Sequence, residues 1–179
     1  NNTDEDMTVM ISINDATTSR MGEIDYSSSK EKLVGEKTLS LKEMIEAPTQ
    51  VKLKPKETKK IELKLKVPEQ EFDGLVLGSV QLKQANQEEK KQEKERVSLD
   101  NEYSYIYSIS LKENDNKVKT DVQSAGARYD DMAYITIENK QQKIVSNMNI
   151  ENIVKTKESD KVLDDFRVEN YRMAPNSRL

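Results

Sequence analysis

The sequence predicts an all-β protein made of two tandem immunoglobulin-like antiparallel β-sandwich domains, with one short helix in the first. Three observations carry that prediction. Apolar and polar residues alternate through Ile61 to Val67 and again through Tyr103 to Leu111. Stretches rich in Asn, Asp, Ser and Lys separate these runs at strand-like intervals. A helix-start signature stands at Ser40.

The chain is organised around KKIELKLKVPEQEFDGLVLGSVQL, Lys59 to Leu82. Ile61, Leu63, Leu65 and Val67 alternate with Glu62, Lys64 and Lys66, which is the period of a strand with one dry and one wet face. Pro68 has no amide hydrogen to give a ladder, so it ends that strand. EQEFDG then supplies a turn, with Asp73-Gly74 as its signal, before a second apolar run from Leu75 to Leu82 interrupted by Gly78. The two runs read as a hairpin. Full burial of the four apolar side chains would contribute roughly 6 to 12 kcal/mol as an upper bound. Ordering the backbone costs about 1 to 2 kcal/mol for each residue, so a second sheet has to cover the hairpin.

Before the hairpin, MTVMISI places Val9, Ile11 and Ile13 on one face of a first strand, and a long polar loop, NDATTSRMGEIDYSSSKEK, follows. Ser40 and Glu43 have capping-box spacing and Pro48 is a stop, which predicts a helix over Leu41 to Ala47. VKLKP, with Val51 and Leu53 alternating, is a further strand, and PKET turns it toward the hairpin.

After the hairpin, QANQEEKKQEKER, Gln84 to Arg96, has no apolar face and reads as a solvated loop or arm. NEYSYIYSISLKE sets Tyr103, Tyr105, Tyr107, Ile109 and Leu111 on one face, where the tyrosines are expected to pack into a core, although stacking on sugar rings is the other use of such a ladder. ENDNK, Glu113 to Lys117, is the expected boundary, giving domains of residues 1–113 and 114–179. DDMAYITIENK is apolar on both faces and reads as a central or interfacial strand. KIVSNMNIENIVKTKES and DDFRVENYRMAPNS add two more.

Composition limits function. Of the 179 residues 34% are hydrophobic and 35% charged, with a mean hydropathy of -0.87 and a net charge of only -4, so the cores are thin and no basic field awaits nucleic acid or anionic lipid. The chain has no cysteine and no histidine, which removes the disulfide framework, the thiol nucleophile and the commonest general base and metal ligand. Lack of cysteine is compatible with secretion from an organism that avoids disulfides. Asp130 with Asp131, and Asp164 with Asp165, are adjacent on strands and point to opposite faces, so neither pair converges as an acid/base couple. Asp4, Glu5 and Asp6, or Asn114, Asp115 and Asn116, offer hard oxygen ligands, but without a complete calcium-loop spacing they read as turn chemistry. The residues assign no catalytic, cofactor or metal position and mark no glycan-contacting side chain.

Four pieces are familiar: INDATTSRMGEIDY from Ile13 to Tyr26, VPEQEFDGLVLGSVQL from Val67 to Leu82, NEYSYIYSISL from Asn101 to Leu111, and YRMAPNS from Tyr171 to Ser177. In this order they resemble the WxL-interacting proteins of the Gram-positive cell surface. The resemblance implies a peptidoglycan-binding domain followed by a host-binding domain that contacts matrix proteins. WxL-domain proteins would bind alongside, with an extracellular location at the cell wall and a membrane anchor in the full-length protein. It implies no enzyme and no cofactor. The family's opening strands would precede NNTDED and more strands would follow MAPNS, so each domain is expected to be a partial one, with another chain as the alternative source of the missing strands. The rival from a different class is a chaperone-like or assembly subunit that completes a partner's sheet through an edge strand. A peptidoglycan hydrolase is a more distant third.

Overall fold

The structure, a computed structural model, describes residues 1–27, 31–85, 104–130 and 132–179. The polar run from 86 to 96, Tyr103 and Asp131 lie outside them. In chain order the elements are β1 (Met7–Asp15), β2 (Thr17–Thr18), β3 (Ile24–Asp25), α1 (Leu41–Met44), β4 (Ile45–Glu46), β5 (Gln50–Leu53), β6 (Lys64–Leu65), β7 (Val76–Gln84) and β8 (Ser104–Leu111). They continue with β9 (Val122–Asp130), β10 (Met132–Asn139), β11 (Val145–Lys155), β12 (Val162–Met173) and β13 (Ser177–Arg178). The fold is all-β, with antiparallel sheets in two domains, and α1 is the only helix among the described residues. None of these elements is a helix long and apolar enough to cross a membrane.

The main sheet has the order β5-β1-β7-β8. Pairs run from Val9↔Gln84 to Asp15↔Gly78 between β1 and β7, and from Val76↔Leu111 to Lys83↔Ser104 between β7 and β8. β7 is central because it is apolar on both sides. Val76 joins Leu41, Met44 and Ile45 in one core, with Ile13, Ile109 and Leu111 against it, while Leu77 on the opposite face joins Ala16 and Ala174 in a second. Gly78 lets α1 settle on the sheet, since a Cβ there would lie 2.6 Å from a Leu41 methyl.

Several expectations need correction. The organising hairpin does not form: β7 pairs with β1 and β8, whereas β6 crosses to a facing ladder with β4 through Ile45↔Leu65. The reason is long-range, because the connection from Pro68 to Leu75 is drawn toward the second domain instead of turning tightly. The strand at 61–67 shortens to Lys64–Leu65, and its apolar face is open, with Leu63 40%, Leu65 47% and Val67 60% exposed. The helix covers one turn rather than two, and its capping box is not made. Ser40 Oγ donates instead to Asp15 Oδ2 at 2.7 Å, and the Lys42 amide donates to Asp15 Oδ1 at 3.3 Å. Nor is the tyrosine ladder a core: Tyr105 is 67% and Tyr107 59% exposed, since the Leu41–Val76 core reaches only the end of β8 that carries Ile109 and Leu111.

In the second domain β10 is the middle strand of the order β13-β10-β9, as its two-sided pattern predicts, but Met132, Tyr134 and Ile135 on it are exposed. β11 and β12 form a long ribbon from Val145↔Met173 to Lys155↔Val162. β9 was not predicted; it pairs with β10 from Met132↔Asp130 to Asn139↔Val122.

Candidate functional site

Loops of the two domains meet at a junction, and a cleft of about 930 Å³ opens beside it. Two glycines bring backbones together there. Gly74 has φ +95°, and a Cβ on it would lie 2.2 Å from the Gln142 carbonyl oxygen, which accepts the Leu75 amide at 2.7 Å. Gly35 has φ +122°, and a Cβ would meet Lys140 O at 2.8 Å and Asn176 Nδ2 at 2.9 Å. Both are backbone conformations in which a side chain is strained. The turn at 140–142 is therefore gripped by first-domain loops on both sides.

Asn176 completes that grip. Its Nδ2 donates to Val34 O at 2.9 Å and Lys140 O at 3.0 Å, its carbonyl accepts the Val34 amide at 2.7 Å, and its own amide donates to Gln141 O at 3.0 Å. Deeper in the junction, fully buried Asn139 donates from Nδ2 to Lys143 O at 2.7 Å and to Ala174 O at 2.8 Å. Ser177 Oγ also donates to Ala174 O, at 2.8 Å, which commits its one hydroxyl proton, so Thr18 must be the donor in the short Thr18–Ser177 bond. Thr18 Oγ1 in turn accepts the Ala174 amide at 3.0 Å. Buried polar groups this well satisfied fix one arrangement, because each lost partner leaves a desolvated group behind.

The connecting segment is tied to the same place. Glu113 Oε2 accepts the Phe72 amide at 2.8 Å. Asn114 Nδ2 donates to Phe72 O and to Asp73 Oδ1, both at 3.0 Å, and Asn116 Nδ2 reaches Asp73 Oδ1 at 2.8 Å. The asparagines considered as calcium ligands are thus engaged as donors to Asp73, while Asp115 pairs with Lys112, whose ammonium holds its carboxyl below the usual aspartate range.

The cleft is lined from the first domain by residues 36–39 and 70–73, and from the second by Val118, Asp121, Gln123 and the 140–142 turn. Phe72, half-buried and packed in part against the first core, is its aromatic residue; glutamine amides, carboxylates and two lysines make up most of the rest. Such a lining can hold a polar chain through hydrogen bonds. Sequence reading missed these residues because they lie on separate loops with no shared pattern; Gly35 and Gly74 were the available signal.

The other candidates stay apart. Asp165 and Glu151 flank Arg167 on the β11–β12 ribbon, with Arg167 Nη2 2.6 Å from Glu151 Oε1, and Asp4 pairs with Lys56 at 3.0 Å at the far end of the first domain. No group of three or more acidic residues could hold a metal ion among the described residues.

An all-β chain whose two domains are locked by backbone contacts beside a polar cleft has the architecture of a binding module. Residues 1–84 match the family model described as WxL Interacting Protein, peptidoglycan binding domain, and residues 94–179 match WxL Interacting Protein, host binding domain. The chain belongs to the WxL-interacting protein family, and both descriptions name binding rather than catalysis. No curated protein and no solved structure matches it.

Proposed function

We propose that this chain is a non-enzymatic cell-surface binding module of a Gram-positive bacterium, in which the first domain attaches to peptidoglycan and the second contacts host matrix proteins. WxL-domain proteins bind alongside it, and the full-length protein is anchored in the membrane. The observation that carries this reading is the succession of the two family matches, which leaves only residues 85–93 between them. We place the domain boundary at Glu113, a reading supported by β8, which pairs along its length with β7 of the first sheet, and by the Glu113–Asn116 tie to Phe72 and Asp73. We assign the glycan to the first-domain wall of the junction cleft, where Gln70 and Glu71 offer hydrogen-bonding side chains to a chain of hydroxyl and acetamido groups.

Pelleting of the chain with isolated Gram-positive peptidoglycan tests both parts. Retention at about 0.5 M salt, where the screening length is below about 5 Å, separates recognition from charge attraction. Replacing the exposed Gln70 and Glu71 with alanine removes two hydrogen-bonding side chains from the cleft and should weaken retention about tenfold, at roughly 0.5 to 1.5 kcal/mol for each bond. Full retention of that variant would move the glycan to another surface. No retention of the parent chain would refute peptidoglycan attachment.

A further inference from the structure

The two edges of the main sheet differ in kind. β5 offers four residues and carries Lys52, with Lys54 following it, and a short strand with lysines is a guarded edge. β8 offers eight residues, SYIYSISL, without a charge or a proline, and among the described residues no strand pairs with its outer side. Half of its residues therefore present an unpaired N–H and C=O outward, a pattern that an extended strand satisfies.

The exposed apolar side chains of β8 gather at one end. Tyr105, Ile106 and Tyr107 are exposed, whereas Ile109 and Leu111 pack on the first core. Around Ile106 the sequence reads the same in both directions: Ser104, Tyr105, Ile106, Tyr107, Ser108. An antiparallel partner related by a two-fold axis through Ile106 places like against like, with Ser104 opposite Ser108, Tyr105 opposite Tyr107, and Ile106 opposite itself. Directly opposed residues share a face, so four tyrosine rings meet on one side of the joined sheet and two isoleucines on the other. No like charges are opposed within this five-residue stretch.

We infer that the outer edge of β8 pairs with β8 of a second copy of this chain, in an isologous antiparallel contact centred on Ile106. This does not rest on the peptidoglycan reading. The contact joins two four-stranded sheets into one and covers the side chains that the first core leaves bare.

Sedimentation equilibrium of the full chain from about 1 µM to about 1 mM tests it, a range suited to a contact of modest area. The expected mass rises with concentration to twice that of the single chain. Ile106→Lys and Ile106→Glu each set two like charges opposite one another at the axis and should raise the dimer dissociation constant at least about tenfold. An equimolar mixture of the two variants should associate again, a rescue that unfolded variants cannot give. A parent chain that stays single throughout, a lysine variant that dimerises like the parent, or a mixture that fails to associate overturns the pairing. So does a single-copy chain whose β8 edge takes up a strand of another protein.

Discussion

Asn139→Ala tests the second-domain scaffold that carries the junction, at its most committed side chain. Asn139 is fully buried, and its two Nδ2 protons go to Lys143 O and Ala174 O while Oδ1 accepts the Gln141 amide at 3.3 Å. Alanine removes the two donated bonds, worth about 0.5 to 1.5 kcal/mol each, and strips the Lys143 carbonyl of its donor at about 1 to 3 kcal/mol. The Ala174 carbonyl keeps Ser177 Oγ, so its loss is limited to one of two donors. The sum is about 2 to 6 kcal/mol. With a urea slope of about 2 kcal/mol/M for a chain of this size, the unfolding midpoint should fall by about 1 to 3 M. Far-UV circular dichroism across a urea titration reads that midpoint and its slope together. A shift below about 0.3 M with an unchanged slope would show that Asn139 does not hold the 139–143 turn against Ala174 and would refute the reasoning.

Gly74→Ala combines a strained φ with a Cβ 2.2 Å from Gln142 O, so it should destabilise by at least about 1 to 3 kcal/mol and lower Tm by several degrees in calorimetry; an unchanged Tm would mean that the loop at 74 does not bear on the 140–142 turn. Glu138 concerns acid stability. The hydrogen bond from Arg178 Nε at 3.0 Å is the main influence holding its carboxyl below the ordinary glutamate range, with the Arg178 and Lys140 charges adding to it and desolvation opposing. A folded-state value below the unfolded one means that the contribution is complete above about pH 4.3 and is lost as pH falls from there through the folded value. Glu138→Gln should therefore flatten the acid limb of urea midpoints measured against pH, and an acid limb as steep as the parent's would refute the assignment.

What could be read in the sequence was governed by local periodicity. Val9, Ile11 and Ile13 on β1, Val51 and Leu53 on β5, and the long β11–β12 ribbon announce themselves by alternation. β9 does not, because Ser124, Ala125, Gly126 and Ala127 give it no apolar stripe; it is a strand because β10 offers it a ladder. The Ser40–Glu43 spacing is a true helix-start signal overridden by Asp15, a distant carboxylate that a local pattern cannot reveal. The stretch from Ile61 to Val67 alternates as a half-buried strand should, but burial depends on what lies opposite, and there the described residues place β4 alone. The cleft was illegible for the same reason. Its two walls are brought together by contacts such as those of Gly74 with Gln142 and Gly35 with Lys140, between residues far apart in the chain.

Three of the four pieces that carry the family resemblance meet at this joint. Thr18 and Gly22 of the INDATTSRMGEIDY piece contact Ala174, Ser177 and Tyr171 of the YRMAPNS piece, and the Arg172 amide donates to Gly22 O at 2.7 Å. The VPEQEFDGLVLGSVQL piece enters through Leu75 and Leu77. These stretches act together as a lock between the domains. A separating load on the domains is shared among the Val34–Asn176, Leu75–Gln142 and Arg172–Gly22 backbone bonds and the ties from Glu113 to Asn116, so none of them bears it alone. Hydrogen bonds of about 1 kcal/mol each are weak singly, but arranged to break together they keep the cleft walls in fixed register. That register is a condition for the cleft to recognise a ligand by shape, since a wall free to move would have to be ordered at each binding event.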